Sequence, residues 1–243
     1  MRESLVGVGV GPGDPDLLTA RAQRVLRQAD RVFAPAMAPD SAGRAESVVH
    51  QADPGIAVER LVFAIGPDEA ARSAAHTAAA RRTAACLDAG ETVAFVTLGD
   101  PNVYSTFPHL ARAVLALRPG TPVATVPGIM AFQDLASRAG AVVVDGGQPL
   151  HLVSLPDGPD PLERALADEQ AAVVIYKGGR HLPAVAARLE EAGRLEGAVF
   201  GELLGLPGQR LGPVAAHAGA PASYLATVIV PPGVPDGRAP LAS

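Results

Sequence analysis

The stretch LVGVGVGPGDP, residues 5–15, decides the fold of this chain because it joins an apolar segment directly to a glycine-rich turn. Its apolar half is the short run expected of a buried parallel strand. Asp14 followed by Pro15 is typical of a helix N-cap and a first helical turn. The pattern therefore predicts a strand, a turn of the kind at which ligands bind, and a helix that ends near residue 29.

Three familiar nucleotide-binding and cofactor-binding motifs do not fit this turn. The dinucleotide fingerprint GxGxxG fails in both registers, because its last position falls on Pro12 or on Asp14. A phosphate-binding loop needs a lysine, and the only lysine is Lys177. A GxGxG methyltransferase needs an acidic residue after its second strand, and residues 31–36, RVFAPA, contain none. The turn therefore belongs to another class of α/β protein.

Composition bounds the class of protein and its partners. The 243 residues are 48% hydrophobic, which is enough for one domain or two compact ones. A net charge of −5 without a basic stripe argues against nucleic acid as a partner. No leader pattern and no apolar run of the ~18 residues that a membrane span needs is found, so we expect a cytoplasmic protein. Cys86, the only cysteine, is expected in the core, and the scattered histidines predict no metal site.

The alternation of strand and helix patterns predicts two α/β domains with mainly parallel sheets. The sequence RPGTP at 118–122 divides them into an N-terminal domain, 1–119, and a C-terminal domain, 120–243. Strands are predicted at 4–10, 31–34, 58–63, 92–98, 123–126, 150–155, 171–176, 198–203 and 224–230. Residues 36–52 are predicted to form a long loop, a candidate lid, and the tail from about 231 is predicted to be disordered.

Small or turn-forming residues follow four of the predicted strands, as GPGDP at 11–15, GDPNVYST at 99–106, PGIMAF at 127–132 and KGGR at 177–180. In open α/β sheets the ligand crevice lies at the carboxyl ends of the strands. Each loop taken alone also fits a tight strand-to-helix turn. The second loop is the most informative, because Asp100 and the hydroxyl-bearing residues at 104–106 give it more polarity than a turn requires.

Three of these motifs together resemble the tetrapyrrole methylase family, whose members use S-adenosylmethionine. They are VGVGPGDPDLLT at 8–19, TLGDPNVYSTF at 97–107 and VPGI at 126–129. Within the family, SAGRA at 41–45, GLPGQR at 205–210 and YLATVIV at 224–230 resemble the precorrin-2 carbon-20 methyltransferases of cobalamin biosynthesis. The similarity extends over about residues 4–230. It implies two α/β domains, a homodimer, and S-adenosylmethionine in a cleft between the domains.

The resemblance also implies particular site residues. Cofactor contacts, most of them by main-chain atoms, are implied at Pro12, Leu98, Gly99, Asp100, Val103, Met130, Ala131, Lys177, Leu204 and Gly205. Carbonyl acceptors and a matching shape suit a sulfonium cation that carries a neutral adenine. The carboxylate of Asp100 would accept bonds from backbone N–H groups or from the ammonium of the ligand, and its alternative role is that of a turn residue.

The acetate and propionate groups of a tetrapyrrole require hydrogen-bond donors near the loops. Candidate substrate contacts are Tyr104, Arg44 and Arg180, with Arg138 and His181 beside the same loops. The alternative for each charged residue is a solvated surface charge, whereas Tyr104 follows a Gly-Pro turn and is poorly placed for a core. The stem of Lys177 is expected to line the cleft, with its ammonium at a substrate carboxylate or a neighbouring acid; the alternative is a lysine that extends to water.

No catalytic base can be assigned. Related uroporphyrinogen methylases carry an aspartate, a proposed proton acceptor, where this chain has Pro35. The resemblance therefore implies methyl transfer to carbon 20 of precorrin-2 or of its cobalt form, mainly by positioning of the reactants. Two alternatives stay open: methylation at another ring position, and a protein that binds S-adenosylmethionine without catalysis. The intact strand-end loops argue against the second alternative.

Overall fold

Two α/β units, Met1–Met130 and Ala131–Ser243, make up the computed structural model. It describes residues 4–63 and 69–233. The two predicted α/β domains are therefore confirmed, but the division follows Met130 and not residue 119. The reason is that the strand at 123–126 pairs with the first strand of the chain, from Leu5↔Val123 to Val8↔Val126, and so completes the first sheet.

The first unit is built around a parallel sheet. Its strands are β1 (Leu5–Gly9), β2 (Arg31–Ala36), β3 (Val58–Val62), β4 (Val93–Thr97) and β5 (Val123–Val126), in the order β3-β2-β4-β1-β5. The helices are α1 (Ala20–Gln28), α2 (Arg44–Ala52), α3 (Glu69–Asp88) and α4 (Phe107–Leu117). The sheet has the predicted parallel character, and both of its faces are covered by helices.

Side chains of this sheet alternate between two apolar clusters, as the pleat of a strand requires. Leu5, Phe33 and Phe95 pack with residues of α3 and α4, and Cys86 is buried there as predicted. Val6 and its neighbours on the other face pack with residues of α1 and α2. Because both faces are filled with apolar side chains, polar contacts with a ligand are left to the loops at the strand ends.

The helix after the first turn begins later than predicted. The Oδ1 atom of Asp14 accepts a bond from the amide of Asp16 at 3.0 Å, but this cap starts only a short 3-10 helix, Pro15–Leu17. Thr19 then caps α1, because its Oγ1 accepts a bond from the Ala22 amide at 3.1 Å. The two consecutive caps divide what looked like one helix.

The second unit contains a mixed sheet, which corrects the prediction of mainly parallel sheets for this half of the chain. Its strands are β6 (Leu150–Ser154), β7 (Ala172–Tyr176), β8 (Val199–Glu202), β9 (Arg210–Pro213) and β10 (Thr227–Val230), in the order β6-β7-β10-β8-β9. Only β6 and β7 pair in parallel; β10 is antiparallel to β7 and β8, and β8 is antiparallel to β9. The final strand lies in the centre of the sheet, so its direction sets the pairing on both sides.

Helices cover both faces of the second sheet. They are α5 (Ala131–Ala139), α6 (Asp160–Leu166), α7 (Leu182–Glu191) and the short α8 (Val214–His217). On one face Leu135 of α5 packs with Leu204 and Ile229. On the other face α6, α7 and α8 enclose an apolar cluster that contains Phe200 and Ile175. The strand β9 was not predicted, because RLGP is too short and too rich in turn-forming residues to show a strand pattern.

The segment 36–52 is only partly a loop. Its second half forms α2, where Ala45, Val48 and Val49 are buried at helical spacing. Buried Glu46 accepts bonds from the Nε and Nη2 atoms of Arg60 in β3 at 2.7 and 2.8 Å, and this pairing lowers the pKa of Glu46 below its ordinary value. The predicted disordered tail, from about 231, falls largely on 234–243, which lie outside the described residues.

Candidate functional site

Three strand-end loops of the first unit meet through glycines. A Cβ atom on Gly9 would overlap the carbonyl oxygen of Gly99 and lie 2.6 Å from the amide nitrogen of Gly128. A Cβ atom on Gly128 would lie 2.8 Å from the carbonyl carbon of Gly9. The amide of Gly99 also donates to the carbonyl of Gly11 at 2.8 Å. This three-glycine contact, formed by Gly9, Gly99 and Gly128, therefore brings the ends of β1, β4 and β5 together.

Backbone conformation in these loops also requires glycine. Gly11 and Gly99 have φ angles of 80° and 64°, in the left-handed region that favours glycine. Met130 lies beside the same contact, since its Cα atom is 3.9 Å from the position of a Cβ on Gly99. Pro12 and Leu98 adjoin these two glycines in the chain, and both residues, like Met130, are partly exposed.

The carboxylate of Asp100 binds the backbone of its own protein. Its Oδ1 atom accepts a bond from the Asn102 amide at 2.8 Å, which closes a turn, and its Oδ2 atom accepts a bond from the Gly128 amide at 3.1 Å. A bond at 3.2 Å from the side-chain amide of Asn102 to the Thr125 hydroxyl adds a second link. Asp100 thus ties the loop after β4 to the loop after β5 through bonds with backbone amides.

Thr97, the last residue of β4, is a polar residue that the sequence analysis missed. Its side chain is buried, and its Oγ1 atom has no hydrogen-bond partner among the residues that the structure describes. By its pattern this strand would accept an apolar β-branched residue equally well. Nothing in the sequence except its place directly before Leu98 therefore distinguishes Thr97 from a core residue.

Tyr104 lies on the loop that follows β4, and Arg44 lies directly after the loop that follows β2. Tyr104 has a φ angle of 48°, an uncommon value for a residue with a side chain, and it is 45% exposed. This exposure agrees with the expectation that its phenol is not a core group. Val103 precedes it in a turn closed by the carbonyl of Asp100 at 3.4 Å. Arg44 is the first residue of α2, and Pro35 lies within β2.

In the second unit, the loop after β7 carries Lys177 and Arg180 next to an aromatic ring. The Lys177 ammonium is 5.9 Å from the centroid of the Tyr224 ring, and the Arg180 guanidinium carbon is 5.0 Å from it. Lys177 is half-buried with a φ angle of 58°, and burial lowers the pKa of its ammonium. Burial likewise raises the pKa of the Tyr224 phenol. Tyr224 was not singled out from the sequence, because nothing local places it beside residues 177–180.

The remaining predicted residues of this unit have defined surroundings. The side chain of Leu204 is buried in the core, which leaves its backbone for a ligand, and the Gly205 amide donates to the Gln209 side chain at 2.8 Å. Ala131 begins α5. Arg138 pairs with buried Asp134 at 2.8 Å, which removes much of the reason to expect it at a substrate carboxylate. His181 ends a short 3-10 helix.

Neither a membrane-spanning helix nor a metal-binding cluster is found in the part of the chain that the structure describes. No helix within residues 4–63 and 69–233 has the length and apolar character needed to span a bilayer. The same residues contain no cluster of three or more His, Cys, Asp or Glu side chains that could hold a metal ion.

Comparison with known proteins finds relatives along most of the chain. Residues 4–216 match the family model of the Tetrapyrrole (Corrin/Porphyrin) Methylases. A precorrin-2 C(20)-methyltransferase from Sinorhizobium sp is 36% identical over 236 residues, which cover 93% of this chain and 94% of that relative. A cobalt-precorrin-2 C(20)-methyltransferase from Salmonella typhimurium is 30% identical over 213 residues, covering 86% of this chain and 87% of that relative.

A solved structure shares the fold. It is uroporphyrin-III C-methyl transferase from Thermus thermophilus, complexed with S-adenyl homocysteine. The TM-score is 0.65 at 23% sequence identity, and the match covers 94% of this chain and 97% of that chain. Both α/β units are therefore part of the similarity.

Proposed function

Because the chain belongs to the tetrapyrrole (corrin/porphyrin) methylase family, we propose that it transfers a methyl group from S-adenosylmethionine to carbon 20 of precorrin-2 or of its cobalt complex. The observation that carries this proposal is the 36% identity with a precorrin-2 C(20)-methyltransferase over almost the whole of both chains. The 30% identity with a cobalt-precorrin-2 enzyme supports the same ring position and leaves the metal state of the substrate to experiment.

The residues of the first unit fit a cofactor held by backbone atoms. At the three-glycine contact, the absence of side chains on Gly9, Gly99 and Gly128 lets the loops after β1, β4 and β5 pack backbone against backbone. This packing fixes the positions of the peptide groups that the cofactor would meet. We propose main-chain cofactor contacts in this unit at the positions named from the family motifs: Pro12, Leu98, Gly99, Val103 and Met130. The family motifs also name Ala131, Leu204 and Gly205 of the second unit.

Positioning carries the proposed mechanism. When bound, S-adenosylmethionine supplies a methyl group that is already activated by the sulfonium charge. Carbonyl oxygens of the loops would orient that cation, and Asp100 holds the loops after β4 and β5 together through its bond with the Gly128 amide. The ring carbon forms the new C–C bond, the sulfide leaves, and a proton is lost from the product. Pro35 carries no acidic group, so this chain offers no base at that position.

Product analysis tests the reaction. The protein is incubated with S-adenosylmethionine labelled in its methyl group and with precorrin-2, either metal-free or as the cobalt complex. Label at carbon 20 of one of the two substrates is expected. Label at another ring carbon would replace the proposed specificity, and cofactor binding without transfer to either substrate would favour a non-catalytic role.

The family resemblance also supports a homodimer. Sedimentation equilibrium should give a mass of twice 24.7 kDa. A monomer that methylates its substrate would overturn the dimer and leave the proposed reaction in place.

A further inference from the structure

Lys177, Arg180 and Tyr224 lie close together in the second unit. Both cations lie within about 6 Å of one aromatic ring, the range in which a cation is attracted to the ring face. Because both distances end at the same ring centroid, the two cations cannot be farther apart than the sum of these distances. We refer to these three residues as the Tyr224 cation site.

The backbone around the Tyr224 cation site is held by close contacts. The Ala222 amide donates to the Gly179 carbonyl at 2.7 Å, and a Cβ atom on Gly179 would overlap the Ser223 carbonyl oxygen. The Ser223 amide donates to the buried Glu202 carboxylate at 2.7 Å. The loop after β7 and the segment before β10, which carry the two cations and the ring, are thereby held together through their backbones.

The charges of this group favour an anionic ligand. Lys177 and Arg180 place two positive charges close to the Tyr224 ring, and Asp157 also acts electrostatically on the Tyr224 phenol. Burial lowers the pKa of Lys177, which means that the free protein holds this ammonium at a cost. An anion beside it would restore part of the lost solvation. The guanidinium of Arg180 adds a planar fork that matches a carboxylate.

We propose that the Tyr224 cation site binds carboxylate side chains of the tetrapyrrole substrate, with Lys177 and Arg180 as the donors and Tyr224 as the residue that positions both. This inference rests on the proposed function, whose substrate carries acetate and propionate arms. It moves Lys177 from the cofactor contacts implied by the family motifs to the substrate contacts. Tyr224 becomes a specificity-determining residue for a multiply charged ring.

Steady-state kinetics separate the two ligands. Lys177→Met and Arg180→Met each remove one charge and keep an apolar stem, and each should raise KM for the tetrapyrrole by about tenfold or more, the expected cost of a charged hydrogen bond. The Kd for S-adenosylhomocysteine, measured by calorimetry, should stay within a factor of about two. Arg164→Met is the matched control, because Arg164 is an exposed arginine of the same unit on α6, and it should change neither quantity.

Tyr224 is tested by a pair of variants. Tyr224→Phe keeps the ring faces and should leave KM within about threefold of the wild-type value, whereas Tyr224→Leu should raise it by about tenfold. Lys177→Arg keeps the positive charge and should recover most of the affinity lost in Lys177→Met. Circular dichroism and thermal melting of each variant establish that the fold is retained; Tyr224→Phe and Lys177→Arg keep the test valid if a larger change unfolds the protein.

The outcomes distinguish this inference from the proposed function. An active wild type whose KM is unchanged in both charge variants would overturn the carboxylate site alone. A weakened Kd for S-adenosylhomocysteine with unchanged KM in Lys177→Met would return Lys177 to the cofactor. A wild-type protein that methylates neither form of precorrin-2 would overturn the proposed function and the substrate assigned to this site with it.

Discussion

At the scale of single residues, the contacts of Asp100 show how one side chain can hold the backbone of two loops together. Both carboxylate oxygens accept bonds from backbone amides, one within the loop after β4 and one from Gly128 after β5. Hydrogen bonds to a charged group contribute ~1.5–3 kcal/mol each. Loss of this carboxylate should therefore loosen two loops whose backbone is proposed to hold the cofactor.

Asp100→Ala should weaken binding of S-adenosylhomocysteine by about 10–100-fold and lower the free energy of unfolding by ~1–3 kcal/mol. Calorimetry gives the affinity and urea denaturation gives the stability. Asp16→Ala is the control, because the Asp16 side chain is exposed at the neighbouring turn. An affinity within a factor of two of wild type, together with reduced stability, would make Asp100 a turn residue only.

Gly9→Ala tests the three-glycine contact. Its Cβ would meet backbone atoms of two other loops, Gly99 and Gly128, which cannot rotate away as a side chain can. We expect a loss of ~3 kcal/mol or more in the free energy of unfolding, at the upper end of overpacking costs. Gly147→Ala is the control, because a Cβ there meets no atom within 4 Å. Equal melting temperatures for the two variants would contradict the close approach.

At the scale of elements, α2 is joined to β3 by the pair of Glu46 and Arg60. Glu46 is 3% exposed and Arg60 anchors a second contact, since its Nη1 atom donates to the Pro39 carbonyl at 2.9 Å. One guanidinium thus holds both the helix and the loop that leads to Arg44. The bond with Arg60 lowers the pKa of Glu46, so the folded state favours the ionised carboxylate.

The pH dependence of this pair follows from that direction. A folded-state pKa below the ordinary value of 4.5 stabilises the protein above pH 4.5, and this contribution is lost as the pH falls through the lowered pKa. Glu46→Gln should therefore lower the free energy of unfolding by ~1–3 kcal/mol at pH 7 and by less at pH 3.5, as measured by urea denaturation.

Glu59→Gln serves as the control for the Glu46 variant. Glu59 lies in β3 beside Arg60 and pairs with Arg82 at 2.7 Å, but both side chains are about two-fifths exposed. Glu59→Gln should therefore lower the free energy of unfolding by only ~0–1 kcal/mol. If Glu46→Gln lowers the free energy of unfolding equally at pH 7 and pH 3.5, the stabilisation by Glu46 comes from packing and not from its ionised carboxylate.

At the scale of the whole molecule, ligand binding should appear as a change in melting temperature. S-adenosylhomocysteine at about 100 times its Kd should stabilise the folded protein by ~2.7 kcal/mol, which corresponds to a rise of ~5–10 °C for a chain of this size. Differential scanning calorimetry measures the shift, with NAD and ATP at equal concentration as controls. A comparable shift with NAD or ATP and none with S-adenosylhomocysteine would contradict the proposed cofactor.

Local sequence patterns predicted most of the strands and the family. Apolar runs bounded by Gly and Pro located every strand except β9, and the GPGDP and GDPNVYST motifs predicted the family to which the chain belongs. These signals are local: strand length, turn chemistry and motif spacing are all contained within a few neighbouring residues. They also identified the loops at the strand ends, although not the contacts between those loops.

Only the tertiary structure decided which strands pair and which side chains meet. The strand β5 belongs to the first sheet and β10 to the centre of the second, since pairing depends on distant partners that no local pattern names. The bond of Asp100 to Gly128 and the approach of Lys177 and Arg180 to Tyr224 likewise join residues from separate elements. The type of a residue shows which bonds its side chain can form, whereas the packing of the chain decides which partner lies within reach of it.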